Sequence, residues 1–180
     1  WDPDTIYNGI ENQNSMIQAM TGVSNVFTLD YTSGAEQDAL FKPKKAGHMY
    51  MFIGNTGLDM VNVSITRETT DALNFSNLKS NGHILDIGYV TPNDTISVYG
   101  EASLNMYAYT LDTDNFMEAY NILNDDGALD ITKWSDTKFE GTLTADDYST
   151  LVLSIPYDEG WSIYIDGDKT DTYAIQDAFI

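Results

Sequence analysis

Residues able to do chemistry crowd towards the end of the chain, where "LSIPYDEGWSIYIDGDKT" (residues 153–170) sets four acidic side chains around a proline and a tryptophan. Two chemistries come to mind: a calcium loop and a glycosidase pair. "DGDKTD" offers Asp166, Asp168 and Asp171 as oxygen donors, but a calcium loop starting at Asp166 would bend sharply at a glycine in its sixth position, and this chain has Asp171 there. Asp158 and Glu159 are neighbours in sequence, whereas glycoside hydrolysis needs two carboxylates on opposite sides of one bond. Turn chemistry explains the same residues with fewer demands. Pro156 and Gly160 bracket a bend in which Asp158 can accept from nearby backbone N–H groups. Asp166-Gly167 is a favoured tight-turn pair between "WSIYI" and "TYAIQDAFI", with Asp168 and Lys169 available to a longer loop. This reading assigns no catalytic residue, no metal site and no cofactor.

Elsewhere the candidates are sparser. His48 and His83 stand at strand entrances with no neighbour at metal-ligand spacing. No nucleophile elbow, phosphate-cradling loop or dinucleotide fingerprint occurs. Lys42, Lys44 and Lys45 in "FKPKKAGHMY" form the one basic cluster, suited either to an anionic glycopolymer or, more economically, to solvating a loop. Twelve tyrosines and three tryptophans supply flat faces on which sugars can stack, although most aromatics of a β-fold go into its core. The residues nominated for ligand contact are therefore Trp161, Tyr157, Lys42, Lys44 and Lys45.

These side chains must be carried by strands. "MVNVSIT", "LNMYAYT", "LVLSI" and "WSIYID" alternate apolar and polar residues with the period of a half-buried strand. "HMYMFI", "HILDIGYV", "TISVY", "FEGTL" and "TYAIQDAFI" are further candidates, each bounded by Gly, Asn, Asp or Pro. Two segments read as short helices. "ENQNSMIQAMTG" places Met16, Ile17 and Met20 on one stripe and stops at Gly22. "LDTDNFMEAYNILNDDG" offers Asp112 or Thr113 as a cap and repeats Phe116, Ala119, Tyr120 and Leu123 at helical spacing. The expected fold is mostly β, an antiparallel jelly-roll-like β-sandwich with two short helices. It is one domain over residues 1–180, with a division into two lobes near 1–111 and 112–180.

Composition narrows the partners. Of 180 residues, 28 are acidic and 8 basic, a net charge of −20 that repels nucleic acid and anionic lipid alike. Without cysteine there is no disulfide, no thiol nucleophile and no thiolate zinc site. No stretch is apolar for long enough to cross a bilayer, and no signal-peptide pattern opens the chain. The abrupt start at Trp1 and the strand-like stop at Phe179-Ile180 point to a fragment of something longer.

The run "LVLSIPYDEGWSIYIDGDKT" resembles the C-terminal extracytoplasmic signature of the YfhO family of multi-spanning bacterial membrane proteins, SIPYD-x-GW followed by a strand and an Asp-Gly turn. Ser154, Ile155, Pro156, Tyr157, Asp158, Gly160, Trp161, Asp166 and Gly167 match it, and Ala178-Phe179 sits where the next strand should end. Near the front, "YNGIENQNSMIQAMTG" is similar to the family's acidic and Gln-Asn segment before a Thr-Gly helix end, through Glu11, Gln13, Asn14, Thr21 and Gly22. The resemblance implies an extracytoplasmic domain from a membrane glycosyltransferase that uses a lipid-linked phosphosugar and glycosylates lipoteichoic acid in the Gram-positive cell envelope. It implies a catalytic acid in an early membrane-adjacent loop outside this chain, and as partners the membrane-embedded part of the same polypeptide and a cell-envelope glycopolymer. Two other readings stay open on the residues alone: an independent secreted carbohydrate-binding module or adhesin, and an extracellular glycosidase.

Overall fold

The computed structural model describes residues 8–34, 36–55, 57–125, 129–145, 151–153 and 155–174. The chain divides into two compact units, Trp1–Ala128 and Leu129–Ile180.

The first element among the described residues of the first unit is helix α1 (Gly9–Thr21). Eight strands follow: β1 (Phe27–Thr32), β2 (Asp38–Phe41), β3 (Gly47–Ile53), β4 (Met60–Thr66), β5 (Thr70–Ser76), β6 (Ile84–Val90), β7 (Thr95–Gly100) and β8 (Met106–Leu111). Helix α2 (Thr113–Asp125) closes the unit. One sheet has the order β1-β8-β3-β6 and the other β2-β7-β4-β5, with every neighbouring pair antiparallel. Strands adjacent in sequence are thus repeatedly sent to opposite sheets, which is the two-Greek-key connectivity of a jelly roll. The expected antiparallel sandwich is what forms.

Alternation along each strand makes the core. Met49, Met51 and Ile53 of β3 and Met106 and Ala108 of β8 point inward from one sheet, and Val61, Val63 and Ile65 of β4 with Ile96 and Val98 of β7 point inward from the other. Each fully buried side chain of this size contributes about 1.5–3 kcal/mol relative to exposure. At the sandwich edge Tyr31 stacks on Phe41 with ring centroids 4.2 Å apart, tying β1 to β2 across the two sheets.

Helix α1 lies on the outer face of the first sheet. Its Ile10 packs with Phe52 and Tyr109, the residues that alternate with the inward ones. Asn8 caps it, accepting from the N–H groups of Ile10 and Glu11, and Gly22 ends it in the left-handed region as the sequence predicts. Asn14 fastens its middle: the side-chain amide donates to the Phe27 carbonyl and accepts from the Phe27 N–H, both at 2.8 Å. Helix α2 is capped by Asp112, whose Oδ1 accepts from the Asn115 N–H. The buried faces of both helices are narrower than the predicted stripes. Ala119 of α2 is buried and packs with Ile17, Ile122, Val23 and Val26, while Met16, Met20, Phe116, Tyr120 and Leu123 stay exposed. Two short helices packed edge to edge have only one line of contact to offer each other, and the outer residues of each stripe fall beyond it.

Among its described residues the second unit contains two hairpins, β9 (Asp130–Ser135) with β10 (Lys138–Thr142) and β11 (Ile163–Ile165) with β12 (Asp168–Thr170). Leu151–Leu153 do not form the strand that the alternation of "LVLSI" predicts, and Ser154 lies outside the described residues. No described strand offers them a ladder, and period-two spacing without a partner does not make a sheet. "WSIYID" shortens to Ile163–Ile165. The partner of that strand is Asp168–Thr170; Thr172–Ala174 of "TYAIQDAFI" carry no strand, and its remainder, including Ala178-Phe179, lies outside the described residues.

Candidate functional site

The acid-rich segment resolves into two turns. In the first, the Asp158 carboxylate accepts from the Gly160 N–H at 2.7 Å and its carbonyl accepts from the Trp161 N–H at 3.1 Å. A methyl group on Gly160 would stand 2.8 Å from that carboxylate, which would have to swing aside to admit it. In the second, Asp166 (φ 52°) and Gly167 (φ 94°) form a two-residue turn in the mirror-image conformation that matches strand twist. Ile165 then pairs directly with Asp168, so Asp168 and Lys169 belong to β12 and the longer loop is not used. Among the described residues, no three His, Cys, Asp or Glu side chains gather where they could hold a metal ion.

The lysine cluster lies between β2 and β3 in the first unit, and it is held from two sides. Asp30 is buried at an irregularity of β1, where it accepts from the Lys44 N–H at 2.8 Å and from the Thr110 hydroxyl at 2.9 Å. Lys45 Nζ bonds Asp112 Oδ2 at 2.8 Å, and the ammonium, with the Asn115 N–H, holds the Asp112 carboxyl below the usual carboxylate range. Lys42 and Lys44 keep their ammonium groups in solvent, and among the described residues neither makes an ion pair.

Trp161 and Tyr157 belong to the second unit. Tyr157 is exposed, while Trp161 is half-buried and meets Phe139 edge-on with centroids 6.2 Å apart. Phe139 in turn is the cross-strand partner of Trp134 and stacks on it at 6.0 Å, and Trp134 is 69% exposed. Trp134, Phe139 and Trp161 therefore make a continuous aromatic row. In the same hairpin, Lys133 (2.7 Å) and Lys138 both bond Glu140 and push its carboxyl down to about 2. Trp134 and Phe139 were not nominated from sequence. The available signal was an aromatic on each of two short strands joined by a tight turn, which puts two rings on one face.

A second aromatic surface lies in the first unit, on the outer face of the sheet β1-β8-β3-β6. There α1 leaves a cleft of about 350 Å³ lined by Asn8, Glu11, Leu29, Phe52, Gly54, Asn105, Tyr107 and Tyr109. The alternation of "LNMYAYT" puts Tyr107 and Tyr109 on this face, but sequence alone does not show that a helix edge stops short of covering them.

A family model described as bacterial membrane protein YfhO matches residues 3–180, almost the whole chain. No curated protein and no solved structure matches it. Among the described residues no helix is long and apolar enough to cross a membrane. The front-end motif is seen at work as helix docking and capping through Asn14, Thr21 and Gly22, and the rear motif as the two turns around Asp158 and Asp166-Gly167. The chain belongs to the YfhO family of bacterial membrane proteins.

Proposed function

We propose that this chain is a non-catalytic, extracytoplasmic domain of a membrane glycosyltransferase, and that it holds a cell-envelope glycopolymer such as lipoteichoic acid beside the membrane-embedded part of the same polypeptide. The observation that carries this reading is the aromatic row Trp134, Phe139 and Trp161, whose outermost ring is largely open to solvent. Aromatic faces bury the C–H surfaces of sugar rings while the sugar hydroxyls stay hydrated, and a row of them suits a repeating polymer. Tyr157 adds an exposed ring in the same unit, and the first unit by itself offers Lys42 and Lys44 as separate cations for an anionic chain. The turns around Asp158 and Asp166 are architectural in this reading.

The net charge of −20 opposes any polyanion, so binding to teichoic acid is weak and strengthens with magnesium. Titration of purified lipoteichoic acid, followed by tryptophan fluorescence, is expected to saturate at high micromolar to millimolar polymer. Trp134→Ala is expected to weaken it about tenfold, the loss of one ring's stacking, with little change in fold because the side chain is mostly in solvent. No response at millimolar polymer, with or without magnesium, would remove the glycopolymer from the proposal.

A further inference from the structure

The cleft beside α1 combines features that ordinary packing of a helix on a sheet does not require. Its floor is aromatic, formed by Phe52 and Tyr109 with Tyr107 along one side, and its rim carries polar groups. The Tyr109 hydroxyl is buried; it accepts from the Asn8 amide at 2.7 Å, and burial together with the Glu11 carboxylate raises its pKa far above the usual tyrosine value. That phenol keeps its proton at any working pH and faces an acceptor in Glu11. Asn105, also in the lining, is fixed by its backbone: its N–H donates to Asn55 Oδ1 at 2.6 Å and its carbonyl accepts from the Gly54 N–H at 2.7 Å. A methyl group on Gly54 would stand 2.7 Å from the Asn105 side-chain nitrogen, so the glycine makes room for that amide. Among the described residues the Asn105 amide itself makes no hydrogen bond.

Among the described residues the cleft thus brings an amide without a hydrogen-bond partner, set by its backbone, together with a carboxylate and three aromatic rings. Among the described residues no lysine, arginine or histidine lines the cleft, so nothing among them compensates a phosphate or a carboxylate. Its volume lies near the lower end of the roughly 300–1,000 Å³ typical of small-molecule sites.

We propose that this cleft is a binding site for one neutral sugar ring, with Tyr107 against a C–H face of the ring and the Asn105 amide and Glu11 carboxylate bonding its hydroxyls. The site names a ligand class for the first unit, separate from the polymer contact assigned to the aromatic row of the second.

The test is a titration of the intact chain, labelled with nitrogen-15, with glucose, galactose and N-acetylglucosamine, and with glycerol phosphate as the anionic control. At least one neutral sugar is expected to shift the backbone amides of Gly54 and Asn105 saturably at millimolar concentration, and glycerol phosphate is expected not to. Asn105→Ala removes an unpaired, exposed amide and leaves the fold intact, so a fivefold or greater loss of affinity in that variant reads the contact directly. Tyr107→Phe is expected to bind almost normally and Tyr107→Ala not to bind. Absence of any neutral-sugar shift, shifts unchanged in Asn105→Ala, or equal binding of glycerol phosphate would each overturn the site. The two proposals fail separately: loss of polymer binding in Trp134→Ala with the cleft still titrating speaks to the row, and a silent cleft with polymer still bound speaks against the cleft alone.

Discussion

Removing the Asp30 carboxylate leaves the Lys44 N–H and the Thr110 hydroxyl without acceptors, and Thr110 is buried along with it. An unsatisfied buried polar group costs about 1–3 kcal/mol, so Asp30→Ala is expected to lower stability by about 2–3 kcal/mol in urea denaturation, with Asp30→Asn recovering part of the loss. Nothing in "FTLDYT" marks this aspartate as internal, because the pairing irregularity that turns it inward depends on the partner strand. Asp158 and Asp166 are the opposite case: proline and glycine at short range dictate their turns, and local chemistry is what a sequence displays. Glu140 provides a titration. Two ammonium groups favour its charged form, so its carboxyl is expected to titrate by NMR near 2, and Lys133→Met is expected to raise that midpoint towards the ordinary glutamate value. Both partners are in solvent, so the bonds align the hairpin and add little to folding stability.

At the scale of elements, α2 shows how a cap and an ion pair combine. Asp112 accepts from the Asn115 N–H and from Lys45, and both interactions need its charge or gain from it. Its folded pKa lies below the unfolded one, so the contribution is complete above the unfolded pKa and fades as the pH falls below about 4. Asp112→Asn is therefore expected to lose about 1 kcal/mol at pH 7, and the gap in Tm between variant and wild type is expected to close in acid. The helices themselves were legible from capping residues, Gly22 and apolar spacing. Which side of each stripe is buried was not, since that depends on where one helix meets the other: Ala119 is covered while Phe116 and Leu123 are not. Strands with long regular alternation, such as Met60–Thr66, could be read off directly. Phe27–Thr32 and Asp38–Phe41 escaped because they are short, mixed in polarity and defined by their neighbours.

Across the whole molecule, every buried apolar residue among those described lies between Ile10 and Ala119. A chain ending at residue 128 is accordingly expected to keep a single cooperative thermal transition, checked by calorimetry. The strand orders β1-β8-β3-β6 and β2-β7-β4-β5 could be anticipated only as a class, since pairings such as Phe27 with Leu111 and Asp38 with Tyr99 join residues distant in sequence and leave no local mark. The net charge acts at this scale as well: screening its self-repulsion is expected to raise the Tm by several degrees between low and physiological ionic strength. Because β1 borders its sheet, the Phe27 amide and carbonyl would otherwise be open to a strand from a neighbouring molecule, and the Asn14 side chain occupies both. The asparagine acts as a stopper against fibril-like growth, so Asn14→Ala should leave the monomer folded but prone to sticking to itself, visible as light scattering that climbs with concentration.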